Sequence, residues 1–175
     1  MNKSIKTLFL LMFISLAIAL FWDKIPLISQ TVHLVFNPTI GKILNFNANF
    51  GLILVSAAIS FFITLIQKYT TDQETLRSIK KEQKLLQEEM KAYKDHPEKL
   101  LALQKKQLEF IPRTFEITLR PLMYTSIPII IFFRWFSDYF TANPFKIFGL
   151  MHWLLAYLIF SIVFTTIFRK VLNVA

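Results

Sequence analysis

"RPLMYTSIPIIIFFRWFSDYF", residues 120 to 140, is an almost unbroken apolar run behind a basic flank. At 1.5 Å per helical residue it covers about 30 Å, the thickness of a bilayer's hydrocarbon core. A soluble chain of 175 residues could not hide such a run together with the rest of its composition, which is 54% hydrophobic and includes 19 phenylalanines. Three more apolar runs occupy residues 7 to 22, 50 to 66 and 147 to 168. The chain therefore reads as an all-α integral membrane protein. The first run admits two readings. Lys3 and Lys6 ahead of it and Ala17-Ile18-Ala19 near its end resemble a cleaved signal sequence, whereas Leu20 to Trp22 prolong it as a retained anchor would.

Charge orients the runs. Of 20 basic residues, 12 lie between Lys68 and Arg120, and Arg169-Lys170 follow the last run. Basic segments stay on the cytoplasmic side, so these two stretches and Lys3 and Lys6 are expected inside. Residues 23 to 49 and the turn from Thr141 to Lys146 are then outside. A basic inner surface suits anionic headgroups or ribosomal RNA, and net charge does not separate them.

The segment between the second and third runs has a different period. Leu76, Ile79, Gln83, Leu86, Met90 and Tyr93 alternate spacings of three and four, as a coiled-coil seam does. "KDHPEKL", residues 94 to 100, carries a cap and Pro97 for a new helix start. Leu101, Gln104, Leu108, Ile111 and Phe115 resume the spacing, which predicts an antiparallel hairpin. Pro112 is expected to break or kink its second arm, after which "RTFEITLR" (113 to 120) returns to the interface. A solvated spacer is the plainer alternative.

On the outer side, Asn37-Pro38 in "VFNPTIGKIL" (35 to 44) signals the start of a short interfacial helix, and Asn45, Asn47 and Asn49 lead into the membrane. Within the second run, Ser56, Ser60, Thr64 and Gln67 share one helix face. Thr125 and Ser126 on the third run and Ser161, Thr165 and Thr166 on the fourth lie at matching depth. Two readings are open: the hydroxyls bond their own carbonyls and pack against a neighbour, or they line a wet furrow open to the cytoplasm. Arg134 likewise is either an outer anchor with Asp138 one turn on, flanked by the belt residues Trp135 and Tyr139, or a charge facing that furrow.

Several chemistries find no support. The chain has no cysteine, and His33, His96 and His152 sit in separate segments, so neither disulfides nor a metal site are expected, and no cofactor. No HExxH, GxGD or nucleophile–base pair suggests an enzyme.

The residues "NPTIG", "QKYTTDQ" (67 to 73), "KDHPEKLLALQKKQ" (94 to 107), "RPLMYTSIPIIIFF" (120 to 133) and "HWLLAYLIFSIVF" together resemble the archaeal YidC-like membrane proteins. These belong to the Oxa-type insertase superfamily, with the third subunit of the ER membrane protein complex. The resemblance spans about residues 35 to 172. It implies a three-helix transmembrane core with a cytosol-open polar groove, a cytoplasmic coiled-coil hairpin that meets ribosomes and nascent clients, and a place in the cell (plasma) membrane. Bacterial relatives carry a groove arginine on the first core helix, and this chain has no charge from Phe50 to Ile66, so that role does not transfer. The run at 7 to 22 is extra to such a core.

The expected organisation is an N-terminal hydrophobic helix (1–24), an external loop with an interfacial helix (25–49), core helix 1 (50–68), the hairpin (69–118), and core helices 2 and 3 with a basic tail (119–175). The expected function is insertion of membrane-protein clients without a chemical step or small-molecule substrate. Ser56, Ser60, Thr64, Gln67, Thr125, Ser126, Ser161 and Thr165 would form the hydrophilic groove. Lys80, Lys81, Lys84, Lys105 and Lys106 would receive ribosomal RNA or acidic clients. An ion channel and a membrane-anchored coiled-coil scaffold are the alternatives.

Overall fold

The computed structural model describes residues 3–175, and among them every regular element is helical. Helix α1 (Lys3–Leu20) leads through a 3-10 turn (Trp22–Lys24) to α2 (Pro26–Phe36). A π turn (Asn37–Gly41) and α3 (Lys42–Phe46) follow, then α4 (Ala48–Thr70), α5 (Gln73–Ala92), α6 (Pro97–Ala142) and α7 (Trp153–Val171). Helices α4, α6 and α7 are long and apolar enough to cross a membrane, and α1 contributes a shorter apolar stretch, Phe9–Leu20. The side chain of Lys3, one support of the charge-based orientation, lies outside the described residues.

Each element begins and ends for local reasons. The Asn47 carboxamide accepts from Phe50 N at 3.0 Å and caps α4. Asp72 does the same for α5, taking Thr75 N at 3.0 Å and the Thr75 hydroxyl at 2.7 Å, and those bonds hold its carboxyl below the usual carboxylate pKa. Beyond α7, Asn173 takes a left-handed conformation (φ +56°) and Val174 N returns to Arg169 O at 2.9 Å. The segment after it tucks against the start of α5: Ala175 N donates to Gln73 Oε1 at 2.8 Å, and Arg77 donates to Asn173 O at 2.6 Å.

Three expectations need correction. The run at 147 to 168 is not helical throughout: residues 147 to 151 form a tight turn closed by Ile147 N to Met151 O at 2.8 Å, with Gly149 at φ +73°, and α7 begins at Trp153. Asn37-Pro38 does not start a helix. The chain is helical from Pro26 to Phe46, and the proline, which lacks an N–H, is absorbed by the π turn. Nor does Pro112 end the hairpin arm. Helix α6 runs unbroken for 46 residues through Pro112, Pro121 and Pro128, about 69 Å, so no boundary separates the hairpin from the membrane crossing. Where the Pro121 ring sits inside the helix, the Thr125 hydroxyl donates to its carbonyl at 3.0 Å.

The apolar core sits at the end away from the hairpin. Leu44 of α3, Leu52 and Val55 of α4, Trp135, Phe136 and Phe140 of α6, and Ala156 and Tyr157 of α7 bury one another there. Trp153 stacks on Phe140 (5.4 Å between centroids, 5° between planes), and Phe133 meets Tyr157 edge-on at 5.1 Å. Helix α7 runs along α4 and α1 runs along α6, whereas α6 and α7 meet chiefly through these rings. At this end the two helices are joined chiefly by aromatic side chains.

Candidate functional site

The hydroxyl stripe of α4 occupies the contact with α7. Ser56, Ser60 and Thr64 are fully buried, at 0%, 1% and 0% exposure. Ser56 donates to Leu52 O at 2.6 Å and Thr64 to Ser60 O at 2.6 Å, each back along its own helix. Ser60 alone reaches across, to Ser161 O of α7 at 3.4 Å. Small residues four apart let two membrane helices approach closely, and an interhelical hydrogen bond adds on average only about 0.6 kcal/mol. In this conformation the three residues are therefore a dry seam rather than a wet face, because α7 covers them. Ser161 donates to Leu158 O, and Thr166 is exposed with its hydroxyl on Ile162 O. Thr165 is half-buried.

A cleft opens on the adjoining face of α4. Ile59, Phe62, Ile63 and Ile66 face Thr125, Pro128, Ile129, Phe132 and Phe133 of α6 across a cavity of about 200 Å³, closed at the far end by Phe36 and Tyr157. Thr125 lines it with its hydroxyl satisfied on Pro121 O, so the wall is almost wholly apolar. The sequence carries a signal for this wall, since Ile59, Phe62, Ile63 and Ile66 fall at spacings of three, one and three, an apolar helix face beside the hydroxyl stripe. Ser126 lies off it, its hydroxyl oxygen buried without a protein partner.

At the hairpin end of α4 a smaller cavity of mixed lining, about 100 Å³, sets the polar side chains of Gln67, Thr71, Gln73, Thr118 and Arg169 beside Leu76, Pro121 and Val174. Gln73 Nε2 donates to Gln67 O at 3.0 Å, and Arg169 donates to Ala175 O. Six of the eight expected groove residues are thus divided three ways, Ser56, Ser60, Thr64 and Ser161 in the seam, Thr125 in the cleft and Gln67 at this smaller cavity, while Ser126 and Thr165 line neither cavity.

Arg134 faces neither. Its guanidinium lies over the Trp22 ring (5.8 Å) and bonds Asp23 Oδ2 at 3.1 Å, which places it against the α1–α2 junction. The expected pairing with Asp138 is not formed. Asp138 Oδ2 instead takes the Trp22 indole N–H at 2.7 Å and lies 3.0 Å from His33 Nε2. Trp135 Nε1 donates to Asn37 Oδ1 at 2.9 Å, so a chain of polar contacts ties α1, α2 and the π turn to α6. Sequence spacing missed it because its members lie about 100 residues apart.

The hairpin lysines Lys80, Lys81, Lys84, Lys105 and Lys106 are all exposed. In α5 the buried residues Leu76, Ile79 and Leu86 match the expected seam. In α6 they do not: Leu101, Leu108, Ile111 and Phe115 are about 60% exposed, and the side chains turned toward α5 are those one position away, such as Leu100, Leu103, Gln107 and Phe110.

Residues 33–175, which contain every element of the cleft and the hairpin, match the family model for EMC3/TMCO1-like integral membrane proteins. The chain belongs to this family. It is part of the Oxa1/YidC/Alb3 insertase superfamily. The matched region of this EMC3/TMCO1-like chain begins within α2, so α1 lies outside it. No match is found among curated proteins or among solved structures.

Proposed function

We propose that this EMC3/TMCO1-like protein is an insertase that moves a client's transmembrane helix, with a short polar flank, into the bilayer along the cleft between α4 and α6. Family membership supports an insertase-type role, and the observation that carries the route is the cleft itself. It is an apolar trough, and nearer the hairpin Gln67, Thr71 and Thr118 offer polar groups around a second, smaller cavity that serves as the mouth. A client helix resting against Ile63, Ile66 and Ile129 keeps its apolar surface out of water. Its flank, meanwhile, exchanges hydrogen bonds with the mouth instead of losing them in hydrocarbon. The client helix then leaves sideways into lipid, and no chemical step is involved. The seam hydroxyls Ser56, Ser60 and Thr64 join the wet surface only if α7 moves off α4.

In this reading the hairpin and the segment after α7 are cytoplasmic, as the basic residues of 68 to 120 favour. The exposed lysines receive ribosomal RNA or acidic client segments. We read the chain as an archaeal YidC-like member in the plasma membrane, a reading that its sequence motifs support. Helix α1 is retained, in keeping with the burial of Trp22 against α6.

Photo-crosslinkers at Ile63, Ile129 and Ser60, combined with insertion of a short-tailed client into proteoliposomes, test the route. Crosslinks to nascent chain are expected from Ile63 and Ile129 before Ser60, and Thr125→Trp, which fills the cleft, should lower insertion while the helical circular dichroism stays unchanged. Normal insertion by a folded Thr125→Trp protein would remove the cleft from the mechanism.

A further inference from the structure

At the end away from the hairpin, the α3–α4 link and the start of the α6–α7 connection enclose an open bowl of about 590 Å³. Asn45, Asn47 and Asn49 line one side, and Tyr139, Asn143 and Phe145 the other. The three link asparagines share one property. Each has its carboxamide oxygen already committed: Asn45 Oδ1 accepts from the Tyr139 hydroxyl at 2.6 Å, Asn47 Oδ1 from Phe50 N at 3.0 Å, and Asn49 Oδ1 from Phe148 N at 2.7 Å. Two of those donors are backbone N–H groups, which fixes which end of the amide is the oxygen. Among the described residues, each NH₂ group keeps two N–H donors without a protein partner. These amide donors favour a ligand that offers oxygen lone pairs, while Asn143, whose Nδ2 donates to Tyr139 O at 3.0 Å, turns the opposite polarity to the far wall through its oxygen.

Charge selects further. The chain has no Asp or Glu from Lys24 to Thr71 and none after Asp138, whereas Lys42 and Lys146 flank the two bowl segments. The nearest carboxylate in sequence, Asp138, is turned to Trp22 and His33. An anion meets no carboxylate in the two bowl segments. Finally, the rim is apolar and uncovered: Phe46 is 91% exposed, and Phe145 and Phe50 are also exposed. Aromatic side chains at a transmembrane helix end sit at headgroup level, so what covers this rim is lipid.

We propose that the bowl is a docking site for the phosphodiester headgroup of a lipid in the leaflet opposite the hairpin. The amide donors bind the phosphate oxygens, and the acyl chains descend past Phe46 and Phe50. The bound headgroup would join the α3–α4 link to the α6–α7 connection, two segments otherwise tied by the Tyr139 and Phe148 bonds. This site is independent of the insertion route, which lies on the other half of the bundle.

The test uses the full chain in detergent, with native mass spectrometry of retained lipid and thermal unfolding as readouts. The probes are phosphatidylglycerol, diacylglycerol, glycerol phosphate and inorganic phosphate. The variant N45D/N47D/N49D keeps an oxygen for Tyr139, Phe50 N and Phe148 N but replaces all six donors with anionic acceptors. Wild type should hold phosphatidylglycerol about tenfold more tightly than diacylglycerol, and the variant should lose that preference with its helical content intact. Should the triple variant not fold, Asn45→Asp alone, which touches no helix cap, must weaken retention. Equal retention by a folded variant, or equal binding of diacylglycerol, overturns the proposal. So does glycerol phosphate or inorganic phosphate binding as tightly as the lipid, since the site would then serve a free phosphate.

Discussion

Substituting Gly51 tests how α4 is seated. A Cβ at this position would lie 2.9 Å from Ile43 O, 3.0 Å from Leu44 Cα and 3.1 Å from Ile43 C, all backbone atoms that no rotamer change can clear. Helix α3 has little freedom to retreat. Leu44 is fully buried in the core, Asn45 is tied to Tyr139, and Asn37 just ahead is tied to Trp135. Overpacking of this kind costs about 1–3 kcal/mol, while alanine recovers about 1 kcal/mol of helix propensity over glycine. The balance for Gly51→Ala is a loss of about 0–2 kcal/mol, and for a chain this size about 1 kcal/mol shifts the melting temperature by roughly 2–4 °C. Gly51→Val, which recovers less propensity and adds two methyl groups, should lose clearly more than alanine does. Gly149→Ala separates steric from conformational cost, since a Cβ there meets nothing within 4 Å and any loss comes from its φ of +73°. Thermal unfolding in detergent, followed by circular dichroism, gives the order. If Gly51→Val melts no lower than wild type, the close approach of α3 to α4 is not what seats that helix.

Two further outcomes follow from contacts that the sequence did not reveal. Phe110→Ala should loosen the hairpin by about 1–3 kcal/mol, whereas Leu108→Ala, at a position 61% exposed, should stay within about 0.5 kcal/mol; hydrogen exchange in α5 distinguishes them, and the reverse order would restore the other seam. Asp138→Ala should loosen the α1–α2 junction, because the Trp22 indole N–H is left buried without its acceptor at a cost of about 1–3 kcal/mol, while Arg134→Gln should cost less than about 1 kcal/mol, its partner Asp23 being 82% exposed. Protease accessibility of the α1–α2 junction reads both, and equal effects would mean that the exposed ion pair holds the junction as firmly as the buried bond does.

What was legible in the sequence was whatever a single helix dictates by itself. Apolar runs gave the three crossings, and the repeat from Leu76 to Met90 gave the buried face of α5, because burial there depends on one period. The site was legible only as a set of alternatives. Ser56, Ser60 and Thr64 form a polar face by spacing, but whether that face is wet depends on whether a neighbouring helix covers it, and α7 does. The tie between Trp22, His33 and Asp138 left no local trace, since each contact spans more than 100 residues.

The two misreadings of α6 have one cause. In the second hairpin arm two apolar stripes compete, Leu101, Leu108, Ile111 and Phe115 against Leu100, Leu103 and Phe110, and local spacing does not rank them. If Pro112 ended the arm, its rotation would be free and either stripe could face α5. Because α6 is continuous, its far half fixes that rotation. Eighteen residues are about five turns, so Gln107 points the same way as Thr125, Phe110 as Pro128, and Thr114 as Phe132. Those three membrane residues line the cleft, and the arm residues on their azimuth are the ones α5 covers. Packing within the bilayer therefore sets which stripe the hairpin buries, and it leaves Leu101, Leu108, Ile111 and Phe115 on the azimuth that continues to Leu122, itself exposed. A break engineered at Pro112, by inserting two glycines after it, should uncouple the arm from the core and allow the stripes to exchange, which would appear as slowed hydrogen exchange on the Leu108 side. Unchanged protection in that variant would mean that α5 selects its own partner face and that the continuity of α6 has no part in the choice.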